Sequence, residues 1–524
     1  MFKGVEALKG KYGIVDIGSN TIRLVIYQQD KSGRLKEIEN VKAVARLRNF
    51  LLENGELSED GINVLIDTLK SFQEVTRFHQ LRNVKCVATA TIRQAINQKE
   101  IIQIVQKETD FQIRILSEYE EAYYGFLAVV NSTSIHDGFT IDIGGGSTEI
   151  TYFQNRNLKH FHSFPFGVLS LKKQFVKGNT PTETELKALK QFLQKQFAKL
   201  PWLKGKKLPI IAIGGSARNL VQMDQARKQY PLKNLHQYQM DLKDIVNVKN
   251  YLTSLSFDKL KQVEGLSKDR ADIIIPAIEV FLQLYETVEA TAFILSRKGL
   301  RDGIFYEELL KDIGSPIFTN VVEESFQQLA IDYEVDLKHA FQVTNIVYML
   351  FRQLKDQQIG EWTDVDVQLL RTGALFYNLG QYIDPESSSQ HTFYLLANRT
   401  IDGMFHKEQV ELALIASFKN SSLFKQYVEP FQQWFSKEEQ RKLRFLGALI
   451  KFAYHLNATK RDIVENIHVK VDEKGTIHVN IYCNQNWQPE QYQVEKQKKH
   501  LIKVLKREVK LHFLPINTKM MQLI

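Results

Sequence analysis

The run Tyr12-Gly-Ile-Val-Asp16-Ile-Gly-Ser-Asn-Thr21 has a counterpart further along the chain, Phe139-Thr-Ile-Asp142-Ile-Gly-Gly-Gly-Ser147-Thr-Glu149, with the two aspartates 126 residues apart. Each is a short β-rich apolar run that ends in Asp-x-Gly and turns straight back into a second apolar run, Ile22 to Tyr27 and Thr148 to Phe153. Two apolar runs joined by a tight Gly/Asn/Ser turn read as paired antiparallel strands. A third strand is expected after each pair, closed by Lys31-Ser-Gly-Arg34 in the first copy and spanning Lys159 to Phe164 in the second.

Outward from the first turn, a helix is predicted from Ser58 to His79, then a buried strand from Val84 and a helix from near Thr91. A strand over Phe111 to Leu116 follows, and Ser117 caps a helix carrying Glu120 and Glu121. The second copy continues with helices to about Ala198 and a buried strand, Leu208 to Ile213, that runs through Gly214-Gly215-Ser216 into a helix. This is an internal repeat. It predicts two α/β domains, 1–125 and 126–307, facing each other across a cleft. Amphipathic helical patterns then dominate 308–457. Residues 458–524 return to α/β: Ile467–Val471 and Ile477–Ile481 alternate around Asp472-Glu-Lys-Gly475, and a helix from about Gln491 to Lys506 leads to a strand at Val509.

Composition narrows the class. The 524 residues are 44% hydrophobic and 25% charged with 11 Pro and 27 Gly, which excludes a disordered tail, a collagen and a disulfide scaffold. Cys86 and Cys483 lie too far apart for a zinc knuckle or a redox pair, and are expected as buried, reduced thiols. Neither a signal-peptide core nor an apolar run of roughly 18 residues is present, so the expected location is cytoplasmic and no membrane partner is expected. The net charge of +9 is concentrated: from Arg441 onward there are 16 Lys/Arg and 7 Asp/Glu, while the other 440 residues hold 53 of each sign. A basic module on a neutral body fits a polyanionic partner, or merely a soluble surface. Lys496, Lys499, Lys503 and Lys506 fall on one face of the predicted last helix, with Leu501 and Leu505 elsewhere.

The turns carry the chemistry. A glycine-rich turn exposes successive N–H groups and lets an anion approach closely. Gly18, Ser19, Asn20 and Thr21 would face Gly144, Gly145, Gly146, Ser147 and Thr148 around one phosphoryl group. Either turn alone reads equally as a plain hairpin; both at matching places in a repeat argue for a clamp. Glu120 and Glu121 can be solvated residues of a first helical turn or supply a base for water. Arg93 can be a surface arginine or a phosphate ligand. Gly214-Gly215-Ser216 reads as a tight strand-to-helix turn rather than an adenosine cradle.

With Ala88-Thr-Ala-Thr-Ile-Arg93-Gln-Ala95, Ser117-Glu-Tyr-Glu120-Glu121-Ala122, Phe166-Gly-Val168, Gly265-Leu-Ser-Lys-Asp-Arg-Ala271 and Ser296-Arg-Lys-Gly-Leu-Arg-Asp-Gly303, the chain resembles the exopolyphosphatase and guanosine pentaphosphate phosphohydrolase family. The motifs stand in family order through residue 310; beyond it the likeness rests on helix pattern and length. The resemblance implies an α/β fold of two actin-like (ribonuclease H-like) domains, an α-helical HD-like domain and a small C-terminal α/β domain. It implies processive release of terminal phosphate from inorganic polyphosphate by metal-assisted in-line attack of water. Guanosine pentaphosphate hydrolysis is the alternative, and a non-catalytic polyphosphate or alarmone sensor the reading from another class. A sugar kinase would need an adenosine pocket.

The resemblance also selects Glu121, the glutamate directly before the alanine, as the base, with Ser147 and Arg93 beside it. Asp142 and Glu149, with Asp16 acting through a metal-bound water, offer only oxygen ligands and suit Mg²⁺, with Mn²⁺ as second choice. The HD-like stretch Leu375-Phe-Tyr377-Asn378-Leu-Gly380 has neither His nor Asp, so no metal and no second active site are expected there. A homodimer is expected from the family, and no specific nucleic acid partner.

Overall fold

The computed structural model describes residues 11–29, 35–311, 314–360 and 363–516. Lys31 to Arg34, read as a hairpin connection, lie outside the described residues, as do the first ten, part of the stretch judged for a signal sequence. The chain divides into two compact units, Met1–Tyr230 with Leu235–Glu324, and Pro231–Asn234 with Ser325–Ile524.

The first unit contains two sheets built on one plan. Strands β1 (Lys11–Ile17), β2 (Ile22–Gln29), β3 (Leu35–Ala43), β4 (Asn83–Ala88) and β5 (Ile113–Ile115) lie in the order β3-β2-β1-β4-β5. Strands β6 (Gly138–Ile143), β7 (Thr148–Gln154), β8 (Asn157–Phe164), β9 (Ile210–Ile213), β10 (Gln239–Met240) and β11 (Phe293–Leu295) lie in the order β10-β11-β9-β6-β7-β8. In both, the first strand is antiparallel to the second and parallel to the one reached by a helical crossover. The predicted repeat holds to the single rung: Asp16 pairs with Arg23 across β1 and β2, and Asp142 with Glu149 across β6 and β7.

Each sheet buries its alternating apolar residues under helices. One core gathers Val15, Ile17, Leu24 and Cys86 with Leu65, Leu69 and Phe72 of helix Glu59–Phe78, whose start is capped by Ser58 Oγ accepting from Gly61 N at 3.2 Å. The other gathers Phe139, Ile141 and Phe293 with Leu193, Leu220 and Phe281. The helix predicted from Thr91 is two helices, Ala90–Gln94 and Gln98–Glu108, because Ala95 turns to an extended conformation between them.

The compact division falls at Glu324 rather than at the onset of helical sequence near residue 308. The intervening chain is held by the first unit: Asn131 Nδ2 donates to the Pro316 carbonyl at 2.7 Å and its Oδ1 accepts from Phe318 N at 2.8 Å.

The second unit is helical from Leu337–Asp356 to Lys437–Leu456 and ends in a three-stranded sheet, β12 (Val464–Val471), β13 (Ile477–Cys483) and β14 (Val509–Pro515). Helix Gln488–Leu505 makes the crossover between the parallel strands β13 and β14. Gln342 donates to the Val464 carbonyl at 3.0 Å and Gln353 accepts from Val469 N at 3.1 Å, so this sheet shares one compact unit with the helices. Both cysteines are buried free thiols. Among the described residues no helix is long and apolar enough to cross a membrane.

Candidate active site

The two Asp-x-Gly turns close alike. Gly18 N donates to the Thr21 carbonyl at 3.0 Å, and Gly144 N to the Ser147 carbonyl at 2.9 Å. The remaining tip amides of Ser19, Asn20, Gly145 and Gly146 make no backbone hydrogen bond to a described residue, which is what an anion cradle requires. The tips meet: a Cβ on Gly145 would lie 3.0 Å from Ser19 Cβ. Behind the second turn, Val168 N and Leu169 N donate to the carbonyls of Gly144 and Gly145 at 2.9 and 3.1 Å. Gly167 permits this approach, because any Cβ there would stand 2.4 Å from the Gly144 oxygen and 2.7 Å from Gly146 N.

Between the two halves of this unit lies a cavity of about 360 Å³. Of the residues expected at a site, Asp16, Gly18, Ser19, Asn20 and Thr21 line it from one half. Glu121, Asp142, Gly144, Gly145, Ser147 and Glu149 complete that part of the lining. Three of the expected residues stand behind the lining. Thr148 lies outside the lining; its hydroxyl donates to the Phe166 carbonyl at 2.7 Å and braces the turn. Gly146 packs toward Ser19 Oγ instead. Arg93 also lies outside, donating through one nitrogen to Glu121 Oε2 at 2.8 Å and to the Leu116 carbonyl at 2.9 Å.

Glu121 and its neighbour have opposite surroundings. Glu120 closes a capping box with Ser117 and pairs with Arg114, which hold its carboxyl below the usual range against the pull of partial burial. Glu121 is pushed up to about 7, chiefly by burial and further by Asp142 and Asp16, with Arg93 opposing. Burial and Asp16 push Asp142 up to about 6. Burial and then Glu121 hold Glu149 well above its ordinary value, although Ser147 and Ser163 hydrogen-bond it. Asp16 is raised by burial against the pull of Arg301, 3.7 Å away.

Four crowded carboxylates are a source of instability. Between about 4.5 and about 7 the folded protein keeps on Glu121 a proton that the unfolded chain has released, so this group's contribution falls as pH rises through that window. A shift of this size corresponds to about 3 kcal/mol. In the metal- and phosphate-free protein, Glu121→Gln should therefore melt above the parent at about pH 8, with the gap closing toward about pH 4.5. Melting curves across that range check it; a variant less stable than the parent at every pH would refute it.

The rest of the lining is basic. Arg23, Arg218, Arg270, Arg297 and Arg301 also line the cavity, drawn from four separate places in the sequence. Burial, and then Arg297, Arg23, Arg301 and Arg270, push the Arg218 guanidinium down to about 10. Arg270 and the Arg297/Arg301 pair belong to the glycine-flanked motifs Gly265–Ala271 and Ser296–Gly303, and arginine in such loops was the available signal. Arg270 also settles the use of Gly215: a Cβ there would meet its guanidinium at 2.3 Å, and Arg270 donates to Ser216 Oγ at 3.3 Å. Arg270 thus packs on Gly215, while Gly214 and Gly215 still line the cavity. Gly214, at φ +90°, lets Asp142 Oδ1 come close; a Cβ would stand 2.6 Å from it.

Among the described residues no three His, Cys, Asp or Glu side chains come together as a metal site, so Asp142, Glu149 and Asp16 do not form a ready cage. The donor set still fits a hard cation: Asp142 and Glu149 share a rung and carry only oxygens, Asp142 raises the proton affinity of Glu149, and Mg²⁺ commonly takes one or two carboxylates with the rest of its shell from phosphate and water. Buried polar atoms without a partner among the described residues lie at the same site: both amide atoms of Asn20, one nitrogen of Arg93 and one of Arg301.

The Ppx/GppA phosphatase family model matches residues 25–312, and its domain III model matches residues 321–504. A guanosine-5'-triphosphate,3'-diphosphate pyrophosphatase of Pseudoalteromonas translucida is 24% identical over 426 residues, 80% of this chain and 83% of its own. A protein of the same name from Aeromonas hydrophila is 25% identical over 440 residues, 80% and 82% of the two chains. The crystal structure of the Aquifex aeolicus Ppx/GppA family member is 29% identical with a TM-score of 0.52, covering 58% of this chain and 99% of its own. An exopolyphosphatase from Cytophaga hutchinsonii shares the fold at 22% identity and a TM-score of 0.53, over 58% of this chain and all of its own.

Proposed function

Since the chain belongs to the Ppx/GppA phosphatase family, whose model spans residues 25–312, we propose that its cleft hydrolyses the terminal phosphoanhydride of inorganic polyphosphate. The observation that carries this reading is the arginine cluster. Five guanidinium groups around one cavity, with Arg218 depressed by burial and further by its arginine neighbours, call for a ligand with several adjacent negative charges rather than a single phosphate ester. The carboxylate end of the cleft then takes the terminal phosphoryl group and the arginines take the phosphates behind it.

Burial, with Asp142 and Asp16 nearby, raises the proton affinity of Glu121, which suits its carboxylate to accept a proton from water. The water oxygen attacks phosphorus in line as the bridging P–O bond breaks; the water proton passes to Glu121 Oε, and the shortened chain leaves as an anion against the arginines. Arg93 holds the Glu121 carboxylate in place. Asn20 and the free turn amides receive the equatorial oxygens, with Ser147 hydrogen-bonding phosphate or water. Mg²⁺ on Asp142 and Glu149 would neutralise phosphoryl charge. A second reading, release of the terminal phosphate of guanosine pentaphosphate, is favoured by the names of the curated relatives. In the second unit, the exposed lysines 496, 499, 503 and 506 are proposed to hold the distal part of a long chain.

Phosphate release from long polyphosphate and from guanosine pentaphosphate, side by side, is the test. Both should stop with excess chelator and return with Mg²⁺ or Mn²⁺. Release from neither substrate would leave a sensor, and full activity in chelator would remove the cation from the reaction.

A further inference from the structure

The second unit holds a cavity of about 430 Å³ for which the proposed reaction has no use. A pocket of this size accommodates a small organic ligand. Its walls are unusually aromatic: Tyr333, Tyr377, Tyr382 and Tyr454 line it together with His339. Tyr377 lies 4.9 Å from Tyr454, His339 stands edge-on to Tyr454 at 5.0 Å, and Tyr333 and Tyr382 meet at 5.4 Å.

One polar group there has its proton position dictated by the fold. Asn457 Oδ1 accepts from Asp462 N at 3.1 Å, which fixes the orientation of that amide. Its Nδ2 end is then the donor, at 2.9 Å from Asp462 Oδ1 and 3.1 Å from His339 Nδ1. His339 Nδ1 must accept, so the ring carries its hydrogen on Nε2. Burial, then Lys460, lowers the basicity of the ring and keeps it neutral. His339 is only 9% exposed, and its Nε2 has no partner among the described residues. A buried donor left in this state is one that a ligand can satisfy.

Asn378 adds a second amide to the lining, held at φ +61° with its Oδ1 3.4 Å from Ser388 Oγ. The charged groups of the lining are Glu334, Asp336 and Lys460, and Lys460 is already paired with Asp336 at 2.9 Å. The balance is negative, which disfavours a phosphorylated ligand.

We propose that this cavity binds a neutral planar heterocycle of the nucleobase class, stacked on the tyrosine rings and accepting a hydrogen bond from His339 Nε2. Flat rings use tyrosine faces well, and a ring nitrogen or carbonyl supplies the missing acceptor. The site is separate from the phosphate chemistry and does not depend on it.

Calorimetric titration of the full-length protein with adenosine, adenine and guanosine tetraphosphate tests this, with Tyr382→Ala and His339→Phe as variants. Tyr382 is 54% exposed, so its truncation leaves the fold intact even where the histidine variant folds poorly. The expected result is one adenosine or adenine per chain, with Kd rising about fivefold or more in Tyr382→Ala, the usual effect of losing one stacking ring. Matching affinities for adenine and adenosine would place recognition in the base alone; tighter adenosine binding would add the ribose. Absence of saturable binding by either, binding indifferent to Tyr382→Ala, or a Tyr382-dependent preference for the tetraphosphate would overturn the proposal.

Discussion

Replacing Glu121 with Gln should lower polyphosphate turnover by about 10²–10⁴, the usual effect of losing a general base, while binding and fold persist. The amide oxygen of Gln can still accept from Arg93, so the local geometry survives and only the ability to take a proton is lost. Glu120→Gln is the informative partner. It weakens the capping box and the Arg114 pair, at about 0.5–2 kcal/mol of stability, and should leave turnover nearly unchanged. Phosphate release and melting temperature, read on both variants, separate the two roles. Reversal of the pattern, with Glu120→Gln inactive and Glu121→Gln normal, would sink the assignment.

Changing Lys496, Lys499, Lys503 and Lys506 together to Glu should raise KM for long polyphosphate steeply and shorten each processive run. The substitution alters local charge by eight units in a segment that carries the chain's whole net positive charge. Long-range attraction of a polyanion weakens with salt, so the defect should be largest at low ionic strength. Cleavage of tripolyphosphate should change little, since the loops alone hold so short a chain. The test is KM against chain length at two salt concentrations. Equal losses on short and long substrates would mean the helix supports the fold; no loss on either would make it a solvated face.

The parts of this molecule legible in its sequence are those decided within a few residues. The Asp-x-Gly turns close over four positions, Gly18 to Thr21 and Gly144 to Ser147, so their strands and glycines announce themselves locally. Ser117 likewise marks the start of the helix that presents Glu121. The arginines were hidden for the opposite reason. Arg23, Arg218, Arg270, Arg297 and Arg301 meet only after both sheets have formed, and a lone arginine does not declare whether water or another arginine will surround it. Arg93 and Thr148 were visible as residue types but not as partners of Glu121 and Phe166, because a hydrogen bond inside the protein looks like one to a ligand until both ends are placed. Lys506 shows the same limit on a smaller scale. It continues the lysine spacing yet caps the helix at φ +56°, past the last turn, so only three of the four lysines share a helical face.

The rung that pairs Asp16 with Arg23 in one sheet pairs Asp142 with Glu149 in the other. A duplicated scaffold is nearly two-fold, and a perfectly two-fold groove would accept a linear polymer equally well in either direction. Here one half offers a cation and the other a carboxylate at the same position of the same ladder, so the groove has a direction as a magnet has poles. Trimming a polymer from its end, the activity proposed for this cleft, requires telling end from middle. In this chain Arg23 and Glu149, at the same rung of the two ladders, are part of what makes the two halves of the groove unequal.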